Sequence, residues 1–134
     1  MTIISVSCGF TTVKVQETKE FYEKYLGATT IFEKEGYVNL RFGNTSTILE
    51  LVAPQSPEDK QSDSTGLGFN ILVEDVDLSY KKITSAKLDL VMPIEDHPWG
   101  ERGFGIKDPN GLTIYIHQVI GEPTEEYKNF IKNI

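Results

Sequence analysis

The residue types best suited to chemistry lie near the end of the chain. In "GLTIYIHQV", residues 111 to 119, an extended strand places Thr113, Tyr115 and His117 on one face and Leu112, Ile114 and Ile116 on the other. A phenol and an imidazole two residues apart can share hydrogen bonds with a ligand, and an imidazole titrates close enough to neutrality to act as a general base. The bland alternative for His117 is a place at a rim with its edge in water. Just upstream, "PWGERGFGIKDPNG" holds the only tryptophan, Trp99, in a loop bounded by proline and glycine. Its indole is either a core plug or an aromatic wall for a ligand. His97, beside Asp96 in the same loop, reads as a solvated surface histidine. In the first half of the chain, Tyr37, Asn39 and Arg41 alternate along one strand and Ile48, Glu50 and Val52 along the next. Arg41 and Glu50 are either ligand groups or an ion pair with each other.

These side chains need a scaffold, and the sequence predicts one built twice. A strand is expected near residues 3 to 13, a helix near 17 to 26 stopped by Gly27, and strands near 29 to 33, 36 to 42 and 46 to 53. Residues 54 to 65, "PQSPEDKQSDST", have two prolines and no aliphatic or aromatic side chain, so they read as a mobile connection. The same order then recurs. A strand is expected near 67 to 73, a helix capped by Asp75 and running to about 86, and strands near 88 to 92, 102 to 107 and 112 to 119. An offset of 61 residues sets Val15 on Val76, Phe10 on Ile71, Cys8 on Phe69 and Ser7 on Gly68.

The expectation is therefore an α+β fold in one domain, with two βαβββ modules at about 1–53 and 66–120 joined by the 54–65 linker. One helix covers one sheet face in each module, with Leu49, Leu51, Ile114 and Ile116 beneath. The two remaining faces are expected to wall a cup, lined also by Ser7, Gly9 and Thr11 on one side and Gly68, Asn70 and Leu72 on the other. Asp-Pro-Asn-Gly at 108–111 predicts a hairpin turn with a structural role. The tail at about 123–133 predicts a short helix capped at Thr124, with Tyr127, Phe130, Ile131 and Ile134 on one stripe, covering either its own subunit or a partner's. Pairing of the modules within one chain or by exchange between two chains stays open.

A net charge of −7 disfavours phosphate backbones and anionic membranes, so neither nucleic acid nor membrane is expected as a partner. That charge serves solubility, or marks an acidic cleft that favours a cation. No apolar run is long enough for a membrane helix, and "MTIISVSCGF" lacks the basic flank of a secretory signal, so a soluble cytoplasmic protein is expected. Cys8 is the only cysteine, which excludes an intrachain disulfide, and its apolar neighbours suggest a small core residue.

Four stretches, "ETKEFYEKYLG", "ILELVAP", "ILVEDVDLSYKKI" and "PWGERGFGIKDPNG", together make the chain resemble the vicinal oxygen chelate superfamily over residues 5 to 120. That superfamily groups glyoxalase I, bleomycin resistance proteins and extradiol dioxygenases. With Pro98, Trp99, Gly100 and Arg102 ahead of Asp108, Pro109 and Gly111, the last stretch is similar to the bleomycin resistance branch. The resemblance implies the paired fold, a cup for a small molecule and commonly a homodimer. Metalloenzymes of the superfamily use His or Glu at four strand positions, which fall here on Ser7, Glu50, Gly68 and Tyr115. Of these only Glu50 is a firm ligand, so no metal and no other cofactor is expected.

The leading expectation is a metal-independent small-molecule-binding protein that sequesters an aromatic or cationic antibiotic. Its ligand-contacting residues are expected to be Ser7, Asn39, Arg41, Glu50, Gly68, Asn70, Trp99, Tyr115 and His117. The alternative is a metal-free isomerase or lyase in which Glu50, Tyr115 and His117 share proton transfer. A metal-dependent lactoylglutathione lyase or dioxygenase requires the mapping of Ser7 and Gly68 to be wrong.

Overall fold

In the computed structural model, which describes residues 1–60 and 66–132, Val15 and Val76 each open a helix, so the repeat seen in sequence is a repeat of elements. The chain divides into two units, Met1–Thr65 with Asp108–Gly111, and Gly66–Lys107 with Leu112–Ile134.

The first unit runs β1 (Cys8–Thr11), α1 (Val15–Leu26), β2 (Ala28–Lys34), β3 (Tyr37–Phe42) and β4 (Ile48–Val52). Its sheet is ordered β1-β4-β3-β2, with β1 parallel to β4 and the other pairs antiparallel. Thr18, Phe21 and Tyr22 lie at i, i+3 and i+4 on α1, so one helix face is buried over the sheet, whose core side chains are Val38, Leu40, Leu49 and Leu51. Gly27 ends the helix at φ 64, a left-handed conformation in which its N–H reaches the Tyr22 carbonyl.

The Asp-Pro-Asn-Gly turn belongs to this unit and does more than reverse the chain. The buried Asp108 carboxylate accepts hydrogen bonds from the Tyr22 hydroxyl at 3.1 Å and the Asn110 N–H at 2.8 Å. Asn110 accepts from Thr12 Oγ1 at 2.5 Å and donates to Thr18 Oγ1 at 2.9 Å, while Lys14 Nζ donates to the Pro109 carbonyl at 2.9 Å. Burial, and then the Asp108 charge, push the Tyr22 hydroxyl far above the usual tyrosine range.

The second unit runs β5 (Gly68–Leu72), α2 (Val76–Ser85), β6 (Leu90–His97), β7 (Glu101–Lys107) and β8 (Thr113–Val119), followed by α3 (Glu125–Lys128). Its sheet, β5-β8-β7-β6, repeats the first. Val76 and Ile83 of α2 are buried, as are Phe104, Ile106, Ile114 and Ile116 of the sheet, and Tyr80 meets Phe104 edge-on at 5.4 Å. The Asp75 side chain accepts from the Leu78 N–H at 2.9 Å, a true N-cap. Replacing Asp75 with alanine is expected to cost about 1 kcal/mol, read from the urea midpoint.

Four expectations need correction or trimming. The first strand covers only 8–11 of the expected 3–13, because β1 is an edge strand whose sole neighbour β4 is five residues long and pairs only Cys8 to Thr11. Cys8 shares the helix-side face with Leu49 but sits at the outer end of that edge strand, and it is exposed, not a core residue. In the second unit β6 continues through Pro93 to His97. As an edge strand with an irregular register between Met92 and Glu95, it tolerates the missing proline N–H. The tail forms a single helical turn, and the Thr124 side chain makes no cap bond. Ile134 lies outside the described residues, as do 61–65 of the connection. In the part of the connection described, the Gln55 and Ser56 N–H groups close a turn on the Asp59 carboxylate and hold it below the usual carboxylate range.

Candidate functional site

In the second unit, one face of the sheet is left uncovered by α2, and the register fixes which residues occupy it. Tyr115 pairs with Asn70 on β5 and Gly105 on β7, and His117 pairs with Leu72 and Gly103. The two glycines leave room for rings to lie flat. A Cβ at Gly103 would stand 2.5 Å from Tyr115 Cε2 and 2.6 Å from its Cζ and hydroxyl, so the Tyr115 ring occupies the place of a side chain there.

Tyr115 stacks on His117 with centroids 4.9 Å apart and planes at 11°. His97, the last residue of β6, approaches Tyr115 edge-on at 6.0 Å and stacks on Trp99 at 4.2 Å and 3°. Trp99 donates its indole N–H to Glu101 Oε2 at 2.9 Å, and Glu101 Oε1 lies 3.6 Å from His117 Nε2. One carboxylate at the head of β7 thus joins the two stacked pairs.

Three polar atoms of the cluster are buried with no partner of hydrogen-bonding geometry: the Tyr115 hydroxyl, His117 Nδ1 and His97 Nε2. Burial first, and the Glu101 charge second, raise the Tyr115 hydroxyl above its ordinary value, so it stays a neutral donor at physiological pH. Absorbance titration should therefore show Tyr22 and Tyr115 ionising only after pH has passed an ordinary tyrosine's value of about 10. Because both folded values are raised, the stability they confer is complete below that value and is lost as pH rises through and above it. Ionisation of Tyr22 or Tyr115 at the ordinary value with the fold intact would contradict its placement.

In the first unit the uncovered face carries Asn39, Arg41 and Glu50, with Glu50 paired to Asn39 and Gly9. Gly9 sits against Glu50, where a Cβ would come within 3.0 Å of the Glu50 Cβ. Arg41 and Glu50 form no ion pair; Arg41 Nε donates to the Gly43 carbonyl at 3.3 Å. Asn39 Oδ1 is buried without a partner. Ser7 is exposed ahead of β1, and Gly68 and Asn70 are exposed on the edge strand β5. A groove between the first turn of α1 and the β2–β3 hairpin, lined by Val15, Lys19, Glu33 and Lys34, holds none of the expected site residues.

The second unit thus brings together Trp99, Tyr115 and His117, and the first brings together Asn39, Arg41 and Glu50. His97 corrects the surface reading: it is half-buried between Trp99 and Tyr115. Glu101 was absent from the expected site. Both could be found from the two-residue alternation His97, Trp99, Glu101 once β6 is allowed to run past Pro93 and pair His97 with Glu101.

The metal positions of the superfamily fall on Ser7, Glu50, Gly68 and Tyr115. Gly68 offers no side chain, Ser7 an exposed hydroxyl, and Tyr115 a phenol held in its protonated form. Among the described residues no group of three or more His, Cys, Asp or Glu is placed to hold a metal ion. This donor set does not fit a divalent cation.

A βαβββ unit built twice, each with a helix-covered and a helix-free sheet face, defines a duplicated-module α+β protein. The family model for the Glyoxalase/Bleomycin resistance protein/Dioxygenase superfamily matches residues 5–116, and the chain belongs to that superfamily. No curated protein matches the sequence significantly. Among solved structures it is similar to TnmS3, an antibiotic binding protein from Streptomyces sp. CB03234, with a TM-score of 0.73 and 21% identity over 89% of this chain and 98% of that one. TioX from Micromonospora sp. ML1 has a TM-score of 0.70 and 18% identity over 84% and 96% of the two chains. Lactoylglutathione lyase from Agrobacterium tumefaciens has a TM-score of 0.68 and 16% identity over 87% and 94%. At these identities the likeness is one of fold. Among the described residues no helix is long and apolar enough to cross a membrane.

Proposed function

We propose that this protein is a metal-independent binding protein for a planar aromatic cation, acting by sequestration as a cytoplasmic homodimer without a cofactor. The observation that carries the reading is the cluster of Trp99, His97, Tyr115 and His117 around the Glu101 carboxylate. Flat rings stack on such a surface, and a carboxylate within it favours positive charge. The fold shared with the antibiotic binding protein TnmS3 is consistent with this use, as is a net charge of −7. The Asn39, Arg41 and Glu50 face of the first unit is a second candidate ligand surface.

Trp99 is the only tryptophan, so its fluorescence reports on the cluster alone. Titration with proflavine, a planar tricyclic cation, and with bleomycin should give saturable quenching, while the anionic dye anilinonaphthalene sulfonate should not. If neither cation binds more tightly than about 1 mM, roughly −4 kcal/mol, the reading is abandoned.

A second reading, a metal-free isomerase or lyase, is favoured by the closeness of His117 to Glu101 beside the protonated Tyr115 hydroxyl. Here Glu101 takes the carboxylate role first expected of Glu50, with Tyr115 as the acid and His117 as the base. Incubated with α-hydroxyketones in heavy water and chelator, such an enzyme would wash deuterium into the C–H beside the carbonyl, and Glu101→Gln would stop it. No exchange by the wild type removes this reading.

A further inference from the structure

The segment after β8 is fastened to the Trp99 turn. Gly100 has φ 93, and a Cβ there would stand 2.5 Å from the Gly121 carbonyl oxygen, so only glycine lets the two backbones approach this closely. The Ile120 N–H donates to the Gly100 carbonyl and the Thr124 N–H to the Pro98 carbonyl, each at 2.9 Å. Those bonds bring Tyr127 to Trp99, with centroids 5.9 Å apart and planes at 47°, and Phe130 meets Tyr127 edge-on at 6.1 Å. Phe130, Tyr127, Trp99, His97, Tyr115 and His117 are consequently one unbroken series of rings within the second unit.

The inner end of the series is packed and the outer end is open. Trp99 is 38% exposed, Phe130 68% and Ile131 56%, and α3 buries no residue. One turn of helix has no stability of its own, so a segment kept in place by two backbone bonds while presenting apolar rings to water leaves surface that a ligand would cover.

We infer that Tyr127 and Phe130 are further ligand-contacting residues, an outer wall against which a ligand stacked on Trp99 is held; this rests on the binding reading above. The wall selects for size. A fused tricyclic cation reaches from Trp99 to Phe130, whereas a single-ring cation stays on the inner cluster.

The test is calorimetric titration of the full chain with proflavine and with benzamidine, a one-ring planar cation, alongside thermal melts. Phe130→Ala should keep the wild-type Tm, because the ring is exposed, and weaken proflavine about tenfold while changing benzamidine less than about twofold. Tyr127→Ala should weaken proflavine at least as much. Proflavine affinity unchanged in both variants, with the wild type binding, overturns the wall and leaves the binding reading standing. A wild type that binds neither probe overturns the binding reading and the wall with it.

Discussion

An Asp108→Ala variant is expected to lose about 3 kcal/mol of stability and to melt roughly 10 °C below the wild type, although the residue sits in what sequence alone calls a turn. Asp108 is 5% exposed and accepts from the Tyr22 hydroxyl and the Asn110 N–H. Tyr22 is fully buried, with Phe21 and Phe42 packed edge-on against its ring, so its hydroxyl cannot turn to water without opening the core. Removing the carboxylate takes away that acceptor and loosens Asn110, whose side chain is held between Thr12 and Thr18. Asp108→Asn keeps the shape and one acceptor, so it should cost less, and Tyr22→Phe, which keeps the ring, should cost only about 1 kcal/mol. A Tyr22→Phe, Asp108→Ala double variant should lose less than the two singles added, because the pair counts once. Urea unfolding gives all four values. An Asp108→Ala loss below about 1 kcal/mol would show that the turn is held by its own hairpin geometry and not by the buried carboxylate.

The parts of the fold that were legible share one property: their signal is local and periodic. Gly27 as a helix stop, Asp75 as a cap, and the alternation of Leu49 and Leu51 or Ile114 and Ile116 are each written within a few residues. The 61-residue offset that makes the two helices equivalent is the same local pattern written twice, and with it comes the superfamily. What could not be read depends on a neighbour strand. The length of β1 is set by β4, and the exposure of Cys8 follows from its place on an edge that composition does not reveal. The extension of β6 past Pro93 depends on its being an edge strand, which is a fact about sheet order. That one misplaced boundary turned His97 from a strand residue into a loop residue and hid Glu101 opposite it. Alternation and rarity mark Tyr115, His117 and Trp99 without knowledge of pairing, whereas the carboxylate that joins them is visible only once the register is known.

Gly103→Ala is expected to weaken proflavine by more than about tenfold while leaving the protein folded, and the reason is steric. β7 is paired on both sides, by β6 and β8, so its backbone cannot recede from an added methyl group. The atoms such a methyl would meet are Cε2, Cζ and the hydroxyl of Tyr115, the far end of a side chain that can swing away. The ring therefore gives way and the sheet does not. When it moves, the stack on His117 and the edge contact with His97 are both lost, and the hydroxyl leaves the neighbourhood of Glu101. A methyl at Gly105 instead meets Met92, at 3.0 Å from its Cγ and Sδ and 3.1 Å from its Cβ, and no atom of Tyr115 is among these nearest contacts, so Gly105→Ala should bind within about threefold of the wild type. Tyr115→Phe separates the ring from its hydroxyl: affinity between the wild type and Gly103→Ala would assign part of the binding to each. Near-UV circular dichroism shows whether the aromatic cluster has rearranged, and the melting curve shows whether the fold has held. Gly103→Ala protein with a wild-type Tm, an altered aromatic spectrum and undiminished proflavine affinity would mean that the stacked rings are internal packing and that the ligand surface lies elsewhere.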